Sequence, residues 1–330
     1  MTLKRQFKSF LLILGLLFSY SGMAHEIRIR GSAPGAEGAL VEIICYSDLI
    51  TWTQVRLAAA RVTQNGQFEL VINLAETRLT LIRIRQQQAE IILEPGNAYH
   101  FKITNILRNQ THESEMPGYL VPPLEVEITN ALKHELNGLL KQFNSVSDEF
   151  MALHFPSIAR HGNKEKVNEY KQLVYDHFPG INNAWFNNTL YYSIANLKLM
   201  TRSSGKETLV SEYLRAEPIL YHHPEYIQFF TAIFDKYLLA EVGSVKKPAI
   251  KSALEAANAY QELMSLLASD PLLKQEHIRE LVLLTSSWDL YSSSYFNKEN
   301  VARAIKYISG HSQISEHRTI ATNMLSLLGL

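Results

Sequence analysis

Between His25 and Asn105 apolar and polar side chains alternate with a period of two, and that alternation confines the segment to β-structure. Phe68, Leu70, Ile72 and Leu74 fall on one face of a strand, and Ile27 and Ile29 oppose Arg28 and Arg30. Tyr99, Phe101 and Ile103 likewise oppose His100 and Lys102. Pro34-Gly35, Asn65-Gly66 and Pro95-Gly96 supply turn chemistry between the runs. Asn65-Gly66 is the strongest hairpin signal, since both residues tolerate positive φ. About seven short strands with one apolar face predict two packed antiparallel sheets over 25–105, a β-sandwich. Cys45 lies inside the apolar run Ile43-Ile44-Cys45-Tyr46, which predicts a buried, inert thiol.

Residues 1–24 have the layout of a signal peptide. Lys4, Arg5 and Lys8 form a positive start, Phe10 to Phe18 an unbroken apolar core, and Gly22-Met23-Ala24 a small-residue cleavage site. The core is roughly a dozen residues against the ~20 that span a bilayer, so cleavage is favoured over a retained anchor. The residue directly after Ala24 is His25 and not a cysteine, which excludes a lipoprotein signal. The expectation is a periplasmic or secreted protein of the cell envelope, with no transmembrane segment after cleavage.

From Ile106 to Pro123 the alternation breaks at Met116-Pro117-Gly118 and Pro122-Pro123, the composition of an interdomain linker. Residues 124–330 then read as an α-helical domain. Leu132, Leu136, Leu139, Phe143, Val146, Phe150 and Leu153 form a heptad-like seam on one long helix, which Pro156 should end. Further helices are predicted over 164–178, 184–200, 206–216, 225–239, 248–268, 276–295, 298–309 and 315–328, with Asp270-Pro271 as an N-cap and N1 pair. No repeat consensus recurs, so the expected class is α+β: an antiparallel sandwich followed by an irregular all-α array.

The 32 basic and 32 acidic residues cancel, unlike the basic excess of a phosphate-tracking nucleic-acid binder. A single cysteine excludes an internal disulfide, a CxxC pair and a cysteine-based zinc site. No GxSxG, P-loop, GxGxxG or HExxH motif occurs, and no carboxylate pair stands out as acid and base. Hence no catalytic, cofactor-binding or metal-ligating residue is assigned, and no cofactor. His222-His223, before Pro224, should close a helix N-terminus rather than chelate, because adjacent helical residues point about 100° apart. His25, the first residue after cleavage, binds copper only if the fold supplies a second histidine. His277 and His317 should sit in solvated side-chain networks. Trp185, Tyr191, Tyr192, Tyr226, Phe229 and Phe230 fall at helical spacing and are expected in the core, unless some line a groove for a peptide or glycan.

The runs IRIRGSAPGAEGALVEI, VTQNGQFELVI and AEIILEPGNAYHFKI resemble the N-terminal domain of Bacteroidetes-type envelope thioredoxin-like thiol–disulfide oxidoreductases. FNNTLYYSIANLKL, HHPEYIQFFTAIFDKYL and EHRTIATNMLSLL resemble their helical connector region. The resemblance spans nearly the whole chain after the leader and implies an envelope location and redox-pathway partners. In that family a thioredoxin domain with its CxxC follows; here the sequence stops at Leu330 without one, so no active-site residue carries over.

The expected function is therefore a non-catalytic exported envelope protein, a partner- or ligand-binding module taking a peptide, a glycan or an envelope protein. Two alternatives stay open. One is the docking half of a split thiol–disulfide system, or a truncated oxidoreductase, with a thioredoxin-fold partner on the apolar run Met324, Leu325, Leu327, Leu328, Leu330. The other is a metal-dependent enzyme with an unrecognised histidine site.

Overall fold

A computed structural model describes residues 24–107, 121–161, 163–215, 218–239 and 246–330. The leader and most of the linker thus lie outside the described residues. The strands are β1 (His25–Ser32), β2 (Leu40–Tyr46), β3 (Gln54–Arg61), β4 (Gln67–Leu74), β5 (Arg78–Ile84), β6 (Gln87–Leu93), β7 (Ala98–Thr104) and β8 (Glu125–Ile128). They form two four-stranded sheets, in the orders β4-β1-β7-β8 and β3-β2-β5-β6. Every pair is antiparallel except β1 with β7, which runs parallel with Ile29 opposite Tyr99. The sheets meet through Ile27, Ile29 and Leu70 from one side and Val41, Ile43, Ile82 and Ile84 from the other. The α+β class predicted from the alternation is the one observed.

The Asn65-Gly66 turn forms, with Gly66 at φ +70°, but it is not a hairpin. The strands it joins, β3 and β4, belong to different sheets. Val62 is the reason: its side chain is buried between the sheets and its amide donates to Ala39 O, while Gly66 O accepts from Ala33 N. These bonds carry the chain across the sandwich instead of back along the same sheet.

One strand departs from simple alternation. In β5 Leu79, Thr80, Leu81 and Ile82 are all buried, so both of its faces are covered. Ile82 and Ile84 face the other sheet. Leu79, with Ile92 of β6, packs against Leu136, Leu139 and Phe143 of the first helix. A third layer, of helices, therefore covers the outer face of the second sheet.

The helices are α1 (Leu136–His161), α2 (Glu165–His177), α3 (Ala184–Met200), α4 (Lys206–Tyr213), α5 (Pro224–Ile233), α6 (Lys247–Glu255), α7 (Ala259–Leu267), α8 (Glu276–Ser292), α9 (Lys298–His311) and α10 (Ser315–Leu327). Four details differ from the periodicity reading. Residues 125–128, assigned to the helical region, pair with β7 as a strand. The seam on α1 buries Leu136, Leu139, Phe143 and Phe150, but Leu132 precedes the helix at 83% exposure and Leu153 is 70% exposed. The helix continues past Pro156 to His161. The predicted helix over 248–268 breaks into α6 and α7 at Ala256, which adopts extended backbone.

Asp270-Pro271 starts no helix. Asp270 is buried, accepts from the Leu272 amide at 2.8 Å and takes the Tyr237 hydroxyl at 3.0 Å, so its carboxylate ties a turn to the core. No helix among the described residues is long and apolar enough to cross a membrane.

Candidate binding cleft at the sheet–helix junction

Where the second sheet meets the helices, a cleft of about 750 Å³ opens between β6, β8, the start of α1 and the N-termini of α3 and α5. Trp52 and Trp185 are its aromatic walls, Leu79 and Ile92 contribute apolar surface, and Glu90 and Glu225 carry carboxyl groups into it.

Trp52 is placed by its loop. Asp48 accepts from the amides of Ile50 (2.9 Å) and Thr51 (2.5 Å), and the Thr51 and Thr53 hydroxyls bond at 2.9 Å. These bonds hold Trp52 at φ +56°, a left-handed conformation that a bulky side chain rarely adopts. Its ring meets Tyr46 edge-on at 4.9 Å and remains 50% exposed.

Trp185 lies in the first turn of α3, a helix capped by the Asn183 side chain, which accepts from the Phe186 amide. Its ring packs on His223 at 4.5 Å, and its carbonyl accepts from His223 Nε2 at 3.0 Å. His223 caps the N-terminus of α5 with Pro224 at the first helical position, as the sequence predicts. Burial pushes the His223 ring down to about 4, against a partial upward pull from the Trp185 carbonyl. With Nε2 donating, Nδ1 is an acceptor, and Glu225 Oε2 stands 3.2 Å from it. Burial raises the Glu225 carboxyl. Among the described residues neither atom has a hydrogen-bond partner, so the pair is a close approach of two polar groups whose charged forms burial disfavours.

A polar seam next to the cleft joins the second sheet to the helices. The Arg78 guanidinium, at the start of β5, donates to His222 Nδ1, and Glu76 sits 3.1 Å from Arg78 and 3.4 Å from His222 Nε2. Burial and the Arg78 charge together depress His222 to about 3. On α10, Asn323 donates to Ser47 Oγ at 2.8 Å and to Asp48 Oδ2 at 2.7 Å, so the loop that presents Trp52 is tied to the last helix.

His317 contradicts the expectation of a solvated network. It is fully buried, with Nδ1 2.5 Å from Glu280 Oε2 and Nε2 2.8 Å from the Tyr221 hydroxyl. Such an arrangement can activate a tyrosine where the hydroxyl is acidic and reachable. Here burial first, and then the charges of Glu316 and Glu280, raise the Tyr221 hydroxyl, so it keeps its proton. His317 offers no surface to a substrate. Its geometry serves to tie α10 to α8.

Cys45 is buried, as expected, and burial raises its thiol. Tyr192, Tyr226, Phe229 and Phe230 are core; Trp185 and Tyr191 are only partly covered. His25 begins β1 opposite Leu74 with its side chain exposed, and His277 is half-buried on α8. Among the described residues no group of three or more His, Cys, Asp or Glu side chains gathers in metal-binding geometry. Of the α10 apolar run, Met324 is buried while Leu327 is 57% and Leu330 61% exposed.

Sequence reasoning missed Trp52 and Glu225. A tryptophan set between two threonines, Thr51 and Thr53, was the available signal for Trp52. Nothing local marks Glu225, whose environment comes from α3. Fold and cleft define an α+β protein, a β-sandwich backed by a helical array with an open cleft at the junction. No protein-family model matches the chain, and no curated protein matches it.

Proposed function

We propose that this chain is a non-catalytic, exported envelope protein that holds a ligand or partner segment in the cleft at the sheet–helix junction. The observation that carries the reading is the strained Trp52 loop. Backbone strain is sustained there by Asp48 and Asn323, and what it achieves is an aromatic ring at the mouth of a cleft opposite Trp185. The basic start, apolar core and small-residue site of 1–24 support export. The likeness of 27–43, 62–72 and 89–103 to the N-terminal domain of thioredoxin-like oxidoreductases supports an envelope role beside redox proteins.

The test is a ligand screen on protein purified from the envelope fraction, using oligopeptides and oligosaccharides, read by tryptophan emission and thermal unfolding. A true ligand at about a hundred times its Kd stabilises the fold by about 2.7 kcal/mol, and Trp52→Ala removes that gain. Ligands whose effect survives Trp52→Ala would place binding elsewhere. Reduction of an insulin disulfide by the pure chain, or retention of the protein in the cytoplasm with residues 1–24 attached, would overturn the reading.

A further inference from the structure

β6 is an edge strand, and its outer edge is closed at two places. Asn137 Oδ1 accepts from the Ile92 amide at 2.7 Å and its Nδ2 donates to the Ile92 carbonyl at 2.9 Å, so one carboxamide stands where a neighbouring strand would pair. Two rungs before Ile92 in the outward-facing series, the Leu124 amide donates to Gln88 O at 3.1 Å. Outward-facing backbone groups recur every second residue, so the Glu90 N–H and C=O face the same way, midway between the caps. No described residue bonds to them. Among the described residues they form an open rung on the wall of the cleft.

We infer that this rung binds a short, extended peptide segment carrying a basic side chain. The inference deepens the cleft reading above and rests on it. Length follows from the caps: Gln88 and Ile92 are four residues apart, about 13 Å, which admits a guest of about three residues and blocks a longer strand. Backbone pairing to Glu90 calls for a donor and an acceptor on one residue, which an extended peptide provides. Charge sets the side chain. Glu90, Glu127 and Glu135 line the cleft against Lys141. Among the described residues Glu127 has only the exposed Lys102 at 3.7 Å, and Glu135 accepts from Asn137 and Gly138 with no cation beside it. Trp52 and Trp185 offer faces to the aliphatic stem and the cationic head of a lysine or arginine.

The experiment titrates the full chain after leader removal with acetyl-Val-Lys-Val-amide, acetyl-Val-Gln-Val-amide and chitotriose, following cleft tryptophan emission and exchange of the Glu90 amide. The lysine peptide should slow Glu90 exchange by about tenfold or more, the weight of one or two hydrogen bonds. Its affinity should exceed that of the glutamine peptide and fall between about 0.1 M and about 1 M salt, as screening shortens from about 10 to about 3 Å. Glu90→Pro removes an outward-facing N–H, which an edge strand tolerates, together with the Glu90 carboxylate; it should weaken binding about tenfold beyond Glu90→Gln, which removes the charge alone. Should that variant not fold, exchange at Glu90 in the unaltered chain decides alone.

Peptide binding without Glu90 protection, or equal affinity for both peptides, overturns the inference. Response to chitotriose alone, or dimerisation of the chain through this edge, overturns the peptide assignment and leaves a binding cleft. Silence of both tryptophans toward every probe overturns both readings.

Discussion

His317 Nδ1 lies 2.5 Å from Glu280 Oε2 in a site where neither side chain is more than 6% exposed. The same carboxylate takes the Ser312 and Tyr260 hydroxyls at 2.6 Å each. One anion therefore gathers α7, α8, the α9–α10 turn and α10. Glu280→Ala leaves buried donors unpaired and should cost about 3–5 kcal/mol, measured by urea unfolding at pH 7.

The pH dependence of that contribution has a definite sign. Burial raises the Glu280 carboxyl, but bonds from His317, Ser312 and Tyr260 outweigh it and the net displacement is downward. A lowered carboxyl stabilises the fold above its unfolded value, about 4.3, and loses that contribution as pH falls through the folded one. Glu280→Gln should therefore differ most from the parent at neutral pH and converge on it in strong acid.

His223 acts in a higher window. Its ring falls from 6.5 to about 4 on folding because it is buried. The unfolded chain takes up the proton first, so stability is full above 6.5 and drains away down to about 4. That drop corresponds to on the order of 3 kcal/mol. In His223→Gln the urea midpoint should lose this part of its decline between pH 7 and pH 4; an unchanged decline would show that the ring is protonated in the fold.

Gly31 faces Phe68 across the β1–β4 pair, and a Cβ there would come within 2.2 Å of the ring. Phe68 is itself buried between the sheets, so the ring cannot swing clear without opening the core. Gly31→Ala should destabilise by about 1–3 kcal/mol, an overpacking cost visible as a lower denaturation midpoint with unchanged slope.

The Cys45 thiol should be silent toward a maleimide in the folded protein. Only 8% of the residue is exposed, and burial raises the thiol despite the Arg78 charge. Mass spectrometry should show labelling that tracks unfolding; rapid labelling of folded protein would contradict the buried placement.

How far the sequence revealed this molecule depends on the range of the interaction. β4 alternates strictly because one face meets the core and the other meets solvent, so Phe68 to Leu74 could be read directly. α3 matched its predicted bounds, Ala184 to Met200, because Asn183 caps it locally. The Asn65-Gly66 turn was visible, yet the sheet change was not, since Val62 and Ala33 decide it through bonds across the sandwich. His317 looked solvated because its partners, Tyr221 and Glu280, are 96 and 37 residues away. The cleft was illegible for the same reason: Trp52, Asn137 and Trp185 meet only after three layers have stacked.

The bond from Asn323 to Asp48 closes a separation of 275 residues. Synthesis proceeds from the N-terminus, so Asp48 emerges long before its partner exists. Leu49, whose neighbours are helical, and Leu79 and Ile92, which α1 covers, must wait beside it. A sandwich emerging alone would display these three side chains as a sticky flank, and its last latch would close only when the final helix arrives.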